Sequence, residues 1–193
     1  MRILIIAAVL AVSACSPAPE KSADASADKS TEAAAPNNCN ASASSSWAAG
    51  GETLTVEGST TGSDCASAEA RFTLRRPGGS ALYEQAFPAN QIMVLAGATS
   101  VADMKSRLQE WVGGGGAALD NTSDLPEWAA GAANPGSSEF PFHPYGGMDR
   151  VAYETLRAAK APMLCFVQGM ESQACFWLDA GALRRIGEQQ IPG

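Results

Sequence analysis

Met163-Leu164-Cys165-Phe166-Val167 and Gln173-Ala174-Cys175-Phe176-Trp177-Leu178, joined by Gln168-Gly169-Met170-Glu171-Ser172, decide the fold. The first run is apolar on both faces, which reads as a central strand. The polar, glycine-containing interval turns the chain, and the second run returns beside the first. Cys165 and Cys175 are equidistant from Met170, so this hairpin sets them face to face. Adjacent antiparallel strands bring Cα atoms within bridging distance. Leu183 to Ile186 then adds a last strand.

Upstream, the alternation of Thr53-Leu54-Thr55-Val56 reads as a strand, and Ser59 to Ser63 as a turn. Ala66 to Arg75 alternates again, with Ala68, Ala70, Phe72 and Leu74 on one face. Pro77-Gly78-Gly79 turns the chain into a third strand, Ala81 to Phe87, and the three form an antiparallel meander. Ile92 to Ala96 is an apolar run, either a short strand or a buried lead-in to a helix. Ser100 is placed to cap that helix, with Asp103 at the capping-box position. Val101, Met104, Leu108, Trp111 and Val112 keep helical spacing, and Gly113 ends the segment.

A long irregular stretch follows, Ala117 to Gly146, in which Asp124 to Ala130 has the spacing of one helical turn. Met148 to Lys160 is a second amphipathic helix, with Met148, Val151, Ala152, Thr155, Leu156 and Ala159 on one face and Pro162 as its stop. The expected fold is α+β: an antiparallel sheet of about five or six strands, two helices packed on one face, and disulfide staples. It occupies residues 47–193 as a single domain.

Residues before this domain read differently. Ser16 to Ser46 has no large apolar side chain and cannot bury enough surface to offset ordering entropy, so it is expected to be a disordered tether. Within it, Ser26-Ala27-Asp28-Lys29 matches an S-x-x-K motif by chance, because a disordered arm cannot preorganise a nucleophile. Arg2 precedes an apolar run from Ile3 to Ala14, too short to span a membrane but suited to an export signal. That run closes on Leu10-Ala11-Val12-Ser13-Ala14-Cys15. The arrangement resembles the signal peptide and lipobox of bacterial lipoproteins. The resemblance implies cleavage after residue 14, a diacylglycerol and an N-linked acyl chain such as palmitate on Cys15, and residues 15–46 as the lipidated tether. Ser16 after the cysteine implies passage to the outer membrane, facing the periplasm. Several acyl chains, at about 0.8 kcal/mol per buried CH₂, hold a protein stably on the bilayer, which is thus the expected partner of Cys15.

The 193 residues carry a net charge of −7, and removal of Arg2 with the signal takes it to −8. An acidic chain is a poor partner for nucleic acid or anionic lipid, both of which demand a basic face, and a possible match for a basic protein. Setting Cys15 aside leaves Cys39, Cys65, Cys165 and Cys175. An even number in an exported chain points to two disulfides, and four cysteines allow three connectivities. The sequence-near pairing, Cys39–Cys65 with Cys165–Cys175, is preferred; the alternative to bridging is free buried thiols. No C-x-x-C pair supports redox or zinc chemistry.

Candidate chemistry is sparse. His143 is the only histidine, and its neighbours supply neither nucleophile nor orienting acid, so no catalytic residue is assigned. No metal site or cofactor is expected. Gly113 to Gly116 follows a helix and lacks the Lys-Ser or Lys-Thr of a phosphate loop. Arg75-Arg76 and Arg184-Arg185 could hold an anion but read more simply as solvated strand ends. The preferred recognition element is Phe140-Pro141-Phe142-His143-Pro144-Tyr145-Gly146-Gly147, where Phe140, Phe142, His143 and Tyr145 offer contact area on a proline-stiffened segment. Against this stands core cover by Phe140 and Phe142. The expectation is an envelope lipoprotein with a non-catalytic domain that inhibits or binds an exported protein. The alternatives are a cell-wall hydrolase using a carboxylate pair and a structural component of envelope assembly.

Overall fold

The computed structural model describes residues 38–113 and 120–192. The export signal, Cys15, the tether up to residue 37 and Gly114 to Gly116 lie outside the described residues. Among the described residues, eight strands form two antiparallel sheets. The first contains β1 (Ala41–Ala49), β2 (Glu52–Thr61), β3 (Glu69–Arg75) and β4 (Ala81–Pro88), in that spatial order. The second contains β5 (Phe142–Pro144), β6 (Met163–Val167), β7 (Ser172–Asp179) and β8 (Ala182–Gln190), in the order β5-β8-β7-β6. The helices are α1 (Val101–Val112) and α2 (Arg150–Ala159). The α+β class stands, and the expected single sheet is corrected to two sheets of four. Each sheet has its own apolar face, and the two faces bury each other instead of extending one ladder.

In the first sheet, Leu54 and Val56 point inward with Ala70, Phe72 and Leu74. The outer face carries ion pairs, Arg71 to Glu84 at 2.6 Å and Arg75 to Glu57 at 2.9 Å. These pairs are solvent-exposed and add little stability.

β1 corrects the expected boundary of the domain at residue 47. Ala41 to Ser46 was expected to be disordered and is instead strand, paired along its length with β2, which itself runs through Ser59 to Thr61 where a turn was expected. Its small inward residues are what α1 requires of its seat. The Ser45 hydroxyl donates to the Val112 carbonyl at the helix end. On the neighbouring strand, a Cβ at Gly58 would lie 2.8 Å from Val112 Cγ1 and 3.3 Å from Trp111. The Cys39–Cys65 disulfide ties the start of β1 to the turn before β3. Ladder bonds, a helix above and a covalent tie hold a segment that buries little apolar surface of its own.

The second sheet is the middle layer. Leu164, Phe166, Ala174, Phe176 and Leu178 face the first sheet, while Met163, Cys165, Cys175 and Ile186 join a second core under α2. The Cys165–Cys175 disulfide crosses from β6 to β7 at directly paired positions, with Cα atoms 4.1 Å apart. β6 is buried on both faces yet lies at the sheet's edge, not at its centre as expected. That edge is covered: Trp111 Nε1 donates to the Val167 carbonyl at 2.7 Å, and the Met163 amide donates to Asp120 O at 2.8 Å. Covering an edge strand in this way prevents pairing with other chains.

The helices occupy different faces, which corrects the expected shared one. α1 lies in the core between the sheets through Met104, Leu108, Trp111 and Val112, whereas α2 packs on the far side of the second sheet. Ser100 caps α1, accepting from the Asp103 amide at 3.1 Å, and Asp103 accepts from Thr99 N. Ile92 to Ala96 is the buried lead-in, not a strand, and Arg107 reaches back to the Val94 and Ala96 carbonyls. α2 is capped by Asp149, and its buried side chains are Tyr153 and Leu156. Val151, expected on the buried face, is 76% exposed, and Ala152, Thr155 and Ala159 are exposed with it, so the buried stripe runs through Tyr153 and Leu156 instead.

Removing one staple tests this scheme. Cys39→Ala with Cys65→Ala is expected to lower unfolding free energy by about 3 kcal/mol, the loop-closure value for a bridge of this span. The measurement is urea unfolding of the oxidised protein, with unchanged far-UV dichroism before the transition.

Candidate functional site

The segment from Asp120 to Gly147 is fastened to α2. The Tyr153 hydroxyl donates to the Pro126 carbonyl at 2.7 Å, Arg157 Nε donates to the Leu125 carbonyl at 2.9 Å, and the Trp128 amide donates to Glu154. Burial pushes the Tyr153 phenol well above its ordinary value. A hydrogen bond from Arg157 is the main reason the Glu154 carboxyl sits below its usual range. The helical turn expected at Asp124 to Ala130 does not form; a 3-10 turn at Thr122–Asp124, closed by reciprocal Asn121 and Asp124 bonds, precedes that stretch.

From there the chain reaches the second sheet and adds β5 to β8, pairing Phe142 with Gln189, His143 with Glu188 and Pro144 with Gly187. Gly187 permits this close approach, since a Cβ there would overlap the His143 carbonyl and the Phe142 ring. Strand parity then sorts the expected recognition residues. Phe142 points inward, fully buried, with its ring 5.8 Å from Tyr153. It is core, which corrects its assignment to a recognition surface. Phe140 is half-buried, His143 is exposed beside Glu188, and Tyr145 is 58% exposed.

His143 and Glu188 belong to a groove of about 390 Å³ whose wall includes Glu139, Phe140, Glu171 and Gln190. Glu188 pairs with Arg185. The Arg185 guanidinium lies 5.2 Å from the centre of the Tyr145 ring and 3.2 Å from the Gln168 side-chain oxygen. Such a cation over an aromatic face contributes about 0.5–1 kcal/mol at an exposed site. Glu139 and Glu171 have no ion-pair partner among the described residues. Met170, 49% exposed, sits at the hairpin tip next to Glu171. The groove is therefore acidic and open, with Met170 adjacent in sequence to its wall residue Glu171 and Tyr145 stacked on the arginine that pairs with its Glu188.

Sequence reasoning missed the glutamates and the Tyr145–Arg185 stack, because these residues meet only through the β5–β8 and β6–β7 pairings. Period-two alternation would have put Glu188 on the face of Ile186; a bulge at Ile186 turns it to the other side, and no local signal marked that bulge. The arginine pairs proposed as anion holders are committed elsewhere: Arg75 to Glu57, Arg76 to Glu52 and Arg185 to Glu188. Ser172 also lines the groove, but among the described residues the His143 imidazole makes no hydrogen bond to its hydroxyl or to the Glu188 carboxylate. No group of three or more His, Cys, Asp or Glu at metal-binding separation occurs among the described residues. The four paired cysteines staple the scaffold and lie outside the groove.

Two predictions separate scaffold from surface. Phe142→Ala is expected to cost about 3–5 kcal/mol of stability by leaving a cavity, while Tyr145→Ala costs under about 1 kcal/mol; urea unfolding reads both. The depressed Glu154 carboxyl stabilises the fold above its ordinary value of 4.5 and loses that contribution as pH falls through its folded value. Trp128 emission in an acid titration is expected to change before global unfolding, and Glu154→Gln to remove that early step. Compared with protein-family models, curated proteins and solved structures, the chain has no match, so the reading of this surface rests on its geometry.

Proposed function

We propose that the chain is a lipid-anchored envelope protein whose domain binds a basic segment of an exported protein, without catalysis, through the groove at the end of the second sheet. One observation carries this reading: Glu139 and Glu171, with no ion-pair partner among the described residues, share one groove with His143, Phe140 and Glu188, and Glu188 is paired to the arginine that stacks on the exposed Tyr145. Aromatic and arginine side chains dominate binding hot spots, and methionine adapts to irregular partners. Unpaired carboxylates favour a cationic partner and speed its approach. The net charge of the chain has the same sense. The lipobox ending at Cys15 supports attachment to the bilayer, and the two disulfides are consistent with an oxidising compartment.

A second reading, a cell-wall hydrolase, draws support from three glutamates and His143 around the same groove. The pairing of Glu188 with Arg185 counts against it, since it occupies one of the candidate carboxylates.

Crosslinking capture from the native envelope tests both. Glu139→Gln with Glu171→Gln is expected to reduce capture of a basic protein at least tenfold, with Tm unchanged, and Tyr145→Ala to do the same. Undiminished capture by these variants overturns the groove as the binding surface. Release of cell-wall fragments by the wild type, lost in Glu171→Gln, establishes the hydrolase instead. Cys15→Ser is expected to leave the chain without acyl label and out of the membrane fraction; normal labelling of that variant ends the lipoprotein reading.

A further inference from the structure

We propose that the outer face of the first sheet carries a second site, independent of the groove, centred on Thr73 and suited to a neutral, polyhydroxylated chain, that is, a glycan without charged groups. Phe72 and Leu74 point into the core, so strand parity turns Thr73 outward. Thr73 is paired with Glu57 on β2 and with Glu84 on β4, and Arg71 and Arg75 stand two residues to either side on the same face. Arg75 Nε donates to Glu57 at 2.9 Å and Arg71 Nη1 to Glu84 at 2.6 Å. Two ion pairs, one on each flank, therefore ring the threonine. A hollow of about 470 Å³ opens over this ring, with Ser44 and Ser59 on its β1 and β2 side. Sites for small ligands occupy about 300–1,000 Å³, and a wall this polar selects a polar occupant.

The second observation is the state of that threonine. It is 4% exposed although it lies outside the core, because the four charged side chains wall it in. Its hydroxyl makes no hydrogen bond among the described residues, since each flanking carboxylate is engaged by its arginine. Nor is that oxygen sealed inside the fold, so it faces the hollow. Arg75 Nη1 and Nη2, Glu57 Oε1 and Glu84 Oε2 are likewise without a hydrogen bond among the described residues. The ion pairs thus fix the direction of these groups and leave donors and acceptors alternating around one hydroxyl. The two arginines and two glutamates cancel in charge, and Glu69, bonded to Arg71 at 3.0 Å, adds one negative charge. An anion meets carboxylates there, and a cation meets guanidinium groups. A sugar hydroxyl, like that of serine, donates once and accepts twice, so neighbouring hydroxyls on one ring accept from Arg75 while donating to Glu57. Hydrogen bonds to ionised groups are about twice as strong as neutral ones. The described lining holds no aromatic ring, so binding rests on hydrogen bonds and is read at high ligand concentration. Exposed pairs of this kind add little to stability, so their removal reads binding without unfolding.

The test is a ¹H–¹⁵N titration of the oxidised full-length chain with the neutral probes cellotetraose, maltotetraose and chitotetraose, against anionic tetragalacturonate and cationic tetraglucosamine. At least one neutral probe is expected to shift the Glu57, Thr73 and Glu84 amides saturably, with the His143 and Glu188 amides of the groove unmoved. Thr73→Val is expected to weaken that binding at least fivefold, the value of about one hydrogen bond, and Arg75→Gln at least tenfold, the value of a charge-assisted one, both at unchanged Tm. Thr73→Ser, which keeps the hydroxyl, is expected to bind as the wild type does, which separates the hydroxyl's role from that of side-chain bulk. If Thr73→Val does not fold, Arg75→Gln and the charged probes decide the matter. Absence of a saturable shift with all the neutral probes up to their solubility limits, or equal shifts in the groove, overturns the site. So does equal or tighter binding of either charged probe, or wild-type affinity in either Thr73→Val or Arg75→Gln.

Discussion

Phe166 lies flat on Phe72, with ring centres 3.8 Å apart and planes 11° from parallel. One ring comes from the second sheet and the other from the first, so this contact is where the two halves of the domain meet. Trp111 stands edge-on to Phe72 at 5.3 Å, and Phe176 and Tyr83 extend the cluster at 4.9 Å from each other. Aromatic pairs bury large areas and add about 0.5–1.5 kcal/mol beyond burial. The same cluster fixes α1, because the indole of Trp111 both packs here and donates to the free edge of β6. Separation of the sheets would expose that edge, unseat α1 and leave β1 without a cover.

The arrangement explains why small residues matter as much as large ones. α1 approaches β1 and β2 closely only because Ala41, Ala43, Ser45 and Gly58 leave room. Gly187 does the same for β5 against β8. In each case a residue with little apolar surface lets a neighbouring element bury its own. The stability of such a segment is therefore a property of the contact, and composition alone misreads it as disorder or loop.

Site and scaffold are interleaved by strand parity. Along β5, Phe142 enters the core under α2 and His143 emerges in the groove; along β8, a bulge at Ile186 keeps that side chain in the same core and lets Glu188, two residues on, face the groove. The tightness of the inner residues sets the position of the outer ones, so groove geometry depends on the Phe142–Tyr153 packing and on the hydrogen bonds from α2 to the Pro126 and Leu125 carbonyls. Recognition side chains on such a frame need little ordering when a partner arrives, which lowers the entropic cost of binding.

The sequence by itself determined the elements with strong local signals. These are the Cys165–Cys175 hairpin, the Ser100-capped helix, the β2–β4 meander and the α+β class, because period-two and period-3.6 apolar patterns and capping residues act over a few positions. It also carried the resemblance to an export signal and lipobox on which the proposed anchoring rests, since such marks are linear. Only the tertiary structure decided that the strands divide into two sheets and that β6 is a covered edge. It also decided that the Ala- and Ser-rich stretch before Trp47 is a strand, and that Glu139, Glu171 and Glu188 share a groove with His143. Those features depend on which distant surfaces fit one another. Ala41 to Ser46 has no reason to order until α1 lies on it, and residues 49 positions apart, Glu139 and Glu188, meet only once β5 has paired with β8.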